Sequence, residues 1–319
     1  MRVAITGIGM VNALGNTANN VWRGLSLQKS GITYLPLSHD VQIGGKPNFS
    51  TSSWKQYIKV SNSLSLYYAY AAATEALLQS SLSSSAVSLI YETCVSENTI
   101  FALEASKLSY SLGITSSVDC KISALGGLDA VCSGVNRIKT GVFDKILIVG
   151  SSAALNPYFL DQFSKLGILN NRDNGNPEGS IKSFDLNANG IVIGEGAAAI
   201  LLESWDSAIE RKAKIIAEVK SHGRTNDGKF LFKPHEKAEG LIRACEKALK
   251  SIKKGEISAV LADGISLIER DVAEAIAIDN LLPSVPTSSF KSGFGHMLGA
   301  AGCSQICSAV LALEYVRII

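Results

Sequence analysis

The chain of 319 residues is long enough for one large domain or two ordinary ones, and its 46% apolar content is ample for a buried core. Its 30 basic and 28 acidic residues give a net charge of +2 without a long basic run, which favours neither nucleic acid nor a membrane surface as a partner. No apolar run approaches the roughly 20 residues of a membrane span. Six cysteines are scattered without a CxxC pair, so we expect a cytoplasmic protein with free thiols and no metal site.

Strand-like and helix-like segments alternate along the first part of the chain, which predicts an α/β fold containing parallel strands. Residues 28–62 are rich in Ser, Gly and Pro without a clear period, and we interpret them as a loop or a small excursion from the fold. The apolar periodicity predicts strands over 2–6, 86–93, 116–123 and 145–152, and helices over 18–27, 65–81, 97–113 and 125–139.

The second part of the chain continues the same rhythm after a polar loop at residues 170–183. Two strands are predicted within 190–204, joined at Gly194, Glu195 and Gly196. Further predictions are a helix and a strand within 206–223, a helix over 236–252, a strand over 257–264 and a last helix over 299–316.

The stretch TGIGMVNALG (6–15) follows the first strand and suggests a dinucleotide-binding turn. Its third glycine, Gly15, falls at the wrong interval for the GxGxxG pattern, and no acidic residue closes a second strand about 20 residues later. We therefore interpret Gly7 and Gly9 as residues that allow a tightly packed turn.

The stretch FKSGFGHMLGAAG (290–302) is more specific. Lys291 and His296 lie five residues apart in a glycine-rich loop that leads into an apolar helix, so both can point into one cavity while the glycines let another backbone approach. A histidine in such a place can instead be a core residue whose role is to hold the loop together, and this alternative stays open.

Several segments together resemble the β-ketoacyl-acyl-carrier-protein synthases, which have the thiolase fold. AITGIGMVNALGN is similar to the opening strand and turn of that family, SFDLNANGIVIGEGAAAILLE to its Asp-Gly-Phe and Gly-Glu-Gly-Ala block, and KSGFGHMLGAAG to its lysine and second-histidine motif. The resemblance implies a layered αβαβα fold with two related halves, here 1–205 and 206–319, of which the C-terminal half is shortened.

The resemblance implies a site whose chemistry needs a nucleophilic cysteine at the N-terminus of a helix, where the helix dipole favours the thiolate. Counting back from Gly141 by the family's interval places that cysteine at Ala124. Cys132 leaves only eight residues before Gly141, about 12 Å of helix, which is too short to bring the chain back across a sheet. Cys120 would fit only with a four-residue insertion and remains an alternative.

A second departure concerns the first catalytic histidine of the family. DGISLIERDVAEA (263–275) aligns without gaps to the family's His-Gly-Thr segment, but the histidine is Asp263 and the threonine is Ile265. A carboxylate would oppose the negative charge that develops during decarboxylative condensation, whereas a neutral imidazole would donate a hydrogen bond to it. Both departures together predict an inactive site that retains Lys291 and His296.

A degenerate member with this pattern resembles the chain-length factor of a type II polyketide synthase. The resemblance implies a heterodimer with an active ketosynthase, an acyl carrier protein whose phosphopantetheine arm reaches the partner subunit, no cofactor in this chain and a tunnel for the polyketide. Candidate tunnel or interface residues are Asn98, Ile100, Phe101, Leu103, Glu104, Val118, Cys120, Ile122 and Ile191, the last at the family's gatekeeper position. Ordinary core packing of Phe101 is an equally good interpretation. The alternative function is an active synthase, or a malonyl-carrier-protein decarboxylase, that uses a different cysteine.

Overall fold

The computed structural model describes residues 1–37, 39–58, 62–95, 101–123, 126–228 and 233–315, without the side chains of residues 101 and 102. Within these residues the strands are β1 (Val3–Val11), β2 (Thr33–Tyr34), β3 (Ile43–Gly44), β4 (Ser88–Thr93), β5 (Val118–Ile122), β6 (Lys145–Ser152), β7 (Gly196–Ser204), β8 (Ala217–Val219), β9 (Val260–Leu261) and β10 (Thr287–Ser288). The helices are α1 (Ala18–Ser26), α2 (Leu64–Ser80), α3 (Phe101–Leu112), α4 (Leu128–Lys139), α5 (Pro157–Lys165), α6 (Trp205–Glu210), α7 (Glu239–Leu249), α8 (Ile268–Leu281), α9 (Lys291–Phe294) and α10 (Ala301–Glu314).

A mixed sheet forms the centre of the described molecule, with its strands in the order β5-β4-β6-β7-β1-β8. Strand β4 pairs in parallel with both β5 and β6, while β7 runs antiparallel to β6 and β1. Helix α3 connects β4 to β5, and α4 connects β5 to β6, so both are crossover helices between parallel strands. This topology confirms the predicted α/β class with parallel strands.

Both faces of the sheet are covered by helices, which is why its central strands lack a polar face. Along β7, Ala198, Ile200 and Leu202 pack with α1, α4 and α10 on one side. The alternate residues of the same strand, Ala197, Ala199 and Leu201, pack with α2 and α3 on the other side. All nine residues of β7 are buried, and the near-continuous apolar run in the sequence reflects this double burial.

Strand β1 is longer than the predicted strand over 2–6, because Gly7 and Gly9 lie inside it and not in a turn. A Cβ atom at Gly7 would lie 2.2 Å from the carbonyl oxygen of Ala76, and one at Gly9 would lie 2.1 Å from that of Ala72. The two glycines therefore permit close contact between β1 and α2. The interpretation as a tight turn was wrong, although close packing is the correct reason for the glycines.

Other parts of the fold also differ from the predictions. Helices α5 and α8 were not predicted, although Asn156 caps α5 through its side chain and Pro157 occupies its first turn, which is a recognisable helix start. Of the two strands predicted within 190–204, only β7 forms. Residues 191, 193 and 194 make isolated bridges to Leu169, His296 and Gly45 instead, and Gly190 just before them has a φ of +115°.

The predicted C-terminal half contributes β8 to the edge of the central sheet beside β1. Its other strands, β9 and β10, form a separate parallel pair of two residues each. Helices α7 and α8 pack together around a small cluster of Ala238, Ala273 and Ala277. None of the helices in the described residues is long and apolar enough to cross a membrane.

Candidate functional site

A cavity of about 430 Å³ opens beside the start of α10, and its wall is partly polar. Three of its polar residues lie in the two motif segments of the sequence analysis. Asp263, after β9, and Arg270, on α8, belong to residues 263–275, and His296, after α9, belongs to residues 290–302. Apolar residues from several segments complete the wall: Leu128, Leu241, Leu261, Leu298 and Ala301. Two of the predicted site residues, Asp263 and His296, thus meet at this cavity.

The loop after β9 is held in place by two carboxylates of α8. Glu274 accepts hydrogen bonds from the backbone N–H groups of Asp263, at 2.7 Å, and Gly264, at 2.9 Å. Asp271 accepts from the N–H groups of Ile265, at 2.9 Å, and Ser266, at 3.1 Å. These bonds satisfy the loop's donors and fix the direction in which the side chain at position 263 leaves the backbone.

Asp263 forms an ion pair with Lys291, the lysine of the glycine-rich stretch 290–302. The Lys291 Nζ donates to the carboxylate of Asp263 and, at 2.7 Å, to its backbone carbonyl oxygen. The lysine side chain is only 4% exposed, whereas that of Asp263 is 55% exposed toward the cavity. Burial opposes ionisation of Asp263, but the Lys291 charge and then His296 lower the pKa of its carboxyl group below the usual value.

His296 is a neutral imidazole at ordinary pH. Burial and then the charge of Lys291 lower its pKa to about 4, and the Asp263 carboxylate opposes only part of this shift. Its Nδ1 accepts a hydrogen bond of 3.0 Å from the backbone N–H of Leu298, so the ring proton lies on Nε2. The backbone of His296 is bridged to residues 192–194, which fixes the ring beside the ion pair.

None of the six cysteines, all of which lie in the described part of the chain, lines this cavity. Burial is the largest cause of a raised pKa at every one of them, and it raises the pKa of Cys94 to about 11. Cys120 and Cys132, the alternative nucleophiles, are half-buried, and the carboxylates of Asp119 and Asp129 respectively raise their pKa further. No thiol in the chain therefore has the lowered pKa of a reactive nucleophile.

A buried carboxylate lies at the N-terminus of α4, the helix whose first residue, Leu128, lines the cavity. Glu92 on β4 is completely buried and accepts hydrogen bonds from the backbone N–H groups of Gly127, at 3.0 Å, and Ala130, at 2.6 Å. The hydroxyl of Ser123 also donates to it. Glu92 was not predicted as a site residue, although a glutamate within the apolar strand SLIYET indicates a need for buried donors.

The predicted tunnel and interface residues lie in different environments. Ala124, Asn98 and Ile100 lie outside the described residues, as does the side chain of Phe101. Two of the other candidates are enclosed: Glu104, which accepts hydrogen bonds from the hydroxyls of Ser65 and Tyr91, and Ile191, which packs in an apolar cluster. The remaining ones lie on or near the β5 edge of the sheet: exposed Leu103, Val118 and Ile122, and half-buried Cys120.

Sequence comparison assigns the chain to a known family. The β-ketoacyl synthase N-terminal domain matches residues 67–208, and the β-ketoacyl synthase C-terminal domain matches residues 216–319. The chain belongs to the β-ketoacyl synthase family. The correspondence of Lys291 and His296 to the family's lysine and second histidine, and of Asp263 to its first histidine, stays a prediction.

Among curated relatives, a putative mitochondrial 3-oxoacyl-(acyl-carrier-protein) synthase of Schizosaccharomyces pombe is 35% identical over 197 residues, which cover 59% of this chain and 46% of that protein. The match thus spans less than half the length of this relative. The 3-oxoacyl-(acyl-carrier-protein) synthase 2 of Vibrio cholerae is 27% identical over 362 residues, covering 98% of this chain and 86% of that protein.

Two solved structures give the same fold. A type II PKS acyl-carrier protein in complex with its ketosynthase bound to the hexaketide matches with a TM-score of 0.87 and 24% identity, covering 98% of this chain and 86% of that one. The ishigamide ketosynthase/chain length factor matches with a TM-score of 0.87 and 23% identity at the same coverage. These likenesses confirm the thiolase-like ketosynthase fold.

Proposed function

We propose that this ketosynthase-family chain is a non-condensing subunit, a chain-length factor that pairs with an active ketosynthase in a type II polyketide synthase. The observation that carries the proposal is the ion pair between Asp263 and Lys291. A carboxylate, Asp263, lies where the family resemblance predicts a neutral hydrogen-bond donor. Its charge is compensated by Lys291 at the start of α9. The site is therefore stable as it stands, without a substrate to neutralise either group.

The chemistry of condensation argues against activity at this site. Decarboxylation of a malonyl group leaves an enolate, and a neighbouring carboxylate repels that charge where a neutral imidazole would donate to it. Removing one such donor costs roughly 10²–10³ in rate, and a chain without a reactive thiol also lacks the covalent acyl-enzyme step. The raised pKa of all six cysteines supports this second loss.

The edge of the central sheet supports a protein partner. Strand β5 pairs only with β4 in the described sheet, and it exposes 38% of Val118 and 60% of Ile122. Leu103 and Tyr110 on the neighbouring helix α3 are also exposed. A strand edge with apolar side chains is a natural place for another chain to add a strand or pack a helix.

In the proposed heterodimer, the ketosynthase supplies the cysteine and the histidines, and the phosphopantetheine arm of an acyl carrier protein reaches that partner. This chain contributes a wall of the polyketide tunnel and needs no cofactor of its own. The solved ketosynthase/chain length factor pair of the same fold supports the proposal as an analogy. The segment that begins with Asn98, Ile100 and Phe101 is the proposed tunnel lining.

A second candidate is an active synthase or a malonyl-carrier-protein decarboxylase. The observation that favours it is His296, which is neutral and carries its proton on Nε2, as a donor to an enolate must. The curated relatives are also named as synthases. This candidate requires either an acylated thiol or decarboxylation without one.

The test is co-expression with a ketosynthase encoded in the same gene cluster, followed by co-purification and incubation with a labelled acyl-carrier-protein donor. We expect a stable heterodimer in which the label is found only on the partner. Ile122→Lys places a charge on the β5 edge and should weaken the association at least tenfold, about 1.4 kcal/mol. Leu186→Lys is the matched control, because Leu186 is 89% exposed in the loop between α5 and β7 and belongs to neither β5 nor α3.

Two outcomes would contradict the proposal. Stable acylation of a cysteine in the isolated chain would favour the active synthase, and release of carbon dioxide from malonyl-carrier protein would favour the decarboxylase. If Ile122→Lys and Leu186→Lys bind the ketosynthase equally well, the β5 edge is not the interface.

A further inference from the structure

A second cavity, of about 520 Å³, opens beside α1 and shares no residue with the cavity of Asp263 and His296. The loop after β1, one side of α1 and the segment that follows this helix form most of its wall. Two cations, Arg23 on α1 and Lys29 after it, belong to this wall. We propose that this α1 cavity binds a small phosphate monoester. The inference goes beyond the proposed function and does not depend on it.

The two cations of the α1 cavity are not compensated by the protein. Within the described part of the chain, neither Arg23 nor Lys29 forms an ion pair, and the wall itself contains no aspartate or glutamate. By contrast, Arg2, Arg137 and Arg211 each pair with a carboxylate, at 2.6 or 2.7 Å. An anion that enters the α1 cavity therefore meets two positive charges and no competing negative one.

Two carboxylates lie near the α1 cavity without belonging to its wall. Glu75 on α2 accepts hydrogen bonds of 2.9 Å from the backbone N–H groups of Met10 and Ala18, so protein donors already engage it. Glu178 lines a neighbouring cavity together with Lys29, but the structure contains no ion pair between these two described residues. Neither carboxylate occupies the place of the proposed anion.

Neutral donors complete the wall of the α1 cavity. The side chains of Asn16, Asn20 and Asn48 all belong to it. The Nδ2 of Asn16 donates to the backbone carbonyl oxygen of Asn48 at 2.8 Å, which joins two segments of the wall. The side-chain amides of Asn20 and Asn48 form no hydrogen bond within the described residues, so their NH₂ groups are available to phosphate or hydroxyl oxygens.

Close packing beneath the α1 cavity makes its wall preformed. A Cβ atom at Gly24 would lie 3.1 Å from the Cβ of Leu14, and one at Gly31 would lie 2.7 Å from the Cβ of Ala13. The N–H of Gly31 also donates to the carbonyl oxygen of Gly293 at 2.7 Å. A preformed cavity of this volume, with apolar walls and a few polar groups, is typical of a small-molecule site.

The charges of the wall indicate the class of ligand. A phosphate monoester carries a charge of about −1.5 to −2 at pH 7, which matches the two cations. The planar guanidinium of Arg23 can donate two parallel hydrogen bonds to phosphate oxygens, and Lys29 adds a point charge. The wall also includes Leu14 and Leu27, of which Leu27 is 58% exposed, and these can contact the apolar part of the ligand.

The test is isothermal titration calorimetry of the full chain with glycerol 3-phosphate. We expect a dissociation constant of about 1 mM or tighter, weaker binding of the dicarboxylate succinate and no binding of glycerol. Absence of glycerol 3-phosphate binding would overturn the proposal. Equal affinity for succinate would also overturn it, because the cavity would then select charge and not phosphate.

A pair of matched double variants locates the site. Arg23→Gln/Lys29→Gln should weaken glycerol 3-phosphate binding by at least about tenfold. Arg172→Gln/Lys55→Gln removes the same net charge from two exposed side chains outside the wall, which form no ion pair within the described residues, and should leave binding unchanged. Equal weakening in both would mean that binding follows net charge, and the proposal would fail.

A third variant separates binding from stability. Asn20 is the third residue of α1, and Thr17 is its N-cap, so Asn20→Glu creates a capping box and should not destabilise the helix. The same substitution places a carboxylate in the wall of the α1 cavity and should weaken glycerol 3-phosphate binding by at least about tenfold. Unchanged binding in a stable Asn20→Glu protein would show that the ligand binds elsewhere.

Discussion

The contact between β1 and α2 and the ion pair of Asp263 with Lys291 beside the cavity are held together by different interactions. At the first, two glycines let backbones touch, and side chains of α2, Glu75 and Gln79, accept from the N–H groups of β1. At the second, Lys291 is buried because Asp263 compensates its charge. The first contact depends on shape and the second on paired charge, and different substitutions should damage them.

The largest effect is expected at the β1–α2 contact. Gly9→Ala would place a Cβ atom 2.1 Å from the carbonyl oxygen of Ala72, and neither backbone can move without disturbing the sheet. We expect a loss of about 3 kcal/mol in the free energy of unfolding, measured by urea denaturation.

Gly255→Ala is the control for this substitution, because a Cβ atom there would meet nothing within 4 Å. Its effect should stay within about 0.5 kcal/mol of zero. Equal losses in the two variants would mean that close approach to α2 is not the reason for Gly9.

A smaller effect on stability is expected at the ion pair of Asp263 and Lys291. Asp263→Asn removes the counter-charge of buried Lys291 and should cost about 1–3 kcal/mol, less than a fully enclosed pair, because the carboxylate is 55% exposed to solvent. Asp263→His, which restores the family's residue, should also destabilise the chain, since it brings a second nitrogen base beside the ammonium group.

A double-mutant cycle with Lys291→Met sharpens this prediction. When the lysine is absent, Asp263→Asn should have little further effect, so the interaction energy between the two positions should exceed about 0.5 kcal/mol. An interaction energy near zero would show that the pair does not stabilise the loop, and the compensation argument for the degenerate site would fail.

The central sheet could be predicted from the sequence because its signals are local. Strand β6, Lys145–Ser152, has the predicted bounds, since an apolar run of that length between polar segments has few other structures available. Strand β1 was predicted too short because a glycine in a strand and a glycine in a turn look alike in sequence. Only the helix that packs on Gly7 and Gly9 distinguishes the two cases.

The site was predictable in part. Asp263, Lys291 and His296 were identified from the motifs, and the structure brings them together. Their pairing could not be predicted, because Asp263 and Lys291 are 28 residues apart and meet only through the folded loops. Glu92 was missed for the same reason, since its partners on α4 lie 35 and 38 residues away and no local pattern links them.

The smallest expected effect is on the pH dependence of stability, and it arises from His296 beside the ion pair of Asp263 and Lys291. Its pKa of about 4 in the folded state lies below the ordinary value of about 6.5, so the unfolded chain takes up a proton first as the pH falls. The stabilisation is complete above pH 6.5 and is lost progressively between about pH 6.5 and pH 4. From pH 7 to pH 5 we expect His296 to account for about 1–2 kcal/mol of lost stability.

The variant His296→Asn keeps a side chain that can accept a hydrogen bond from Leu298 but does not titrate. The stability that this variant loses over the same pH range should therefore be smaller by that amount. Parallel pH profiles for the two proteins would mean that His296 is not held neutral by burial and by Lys291.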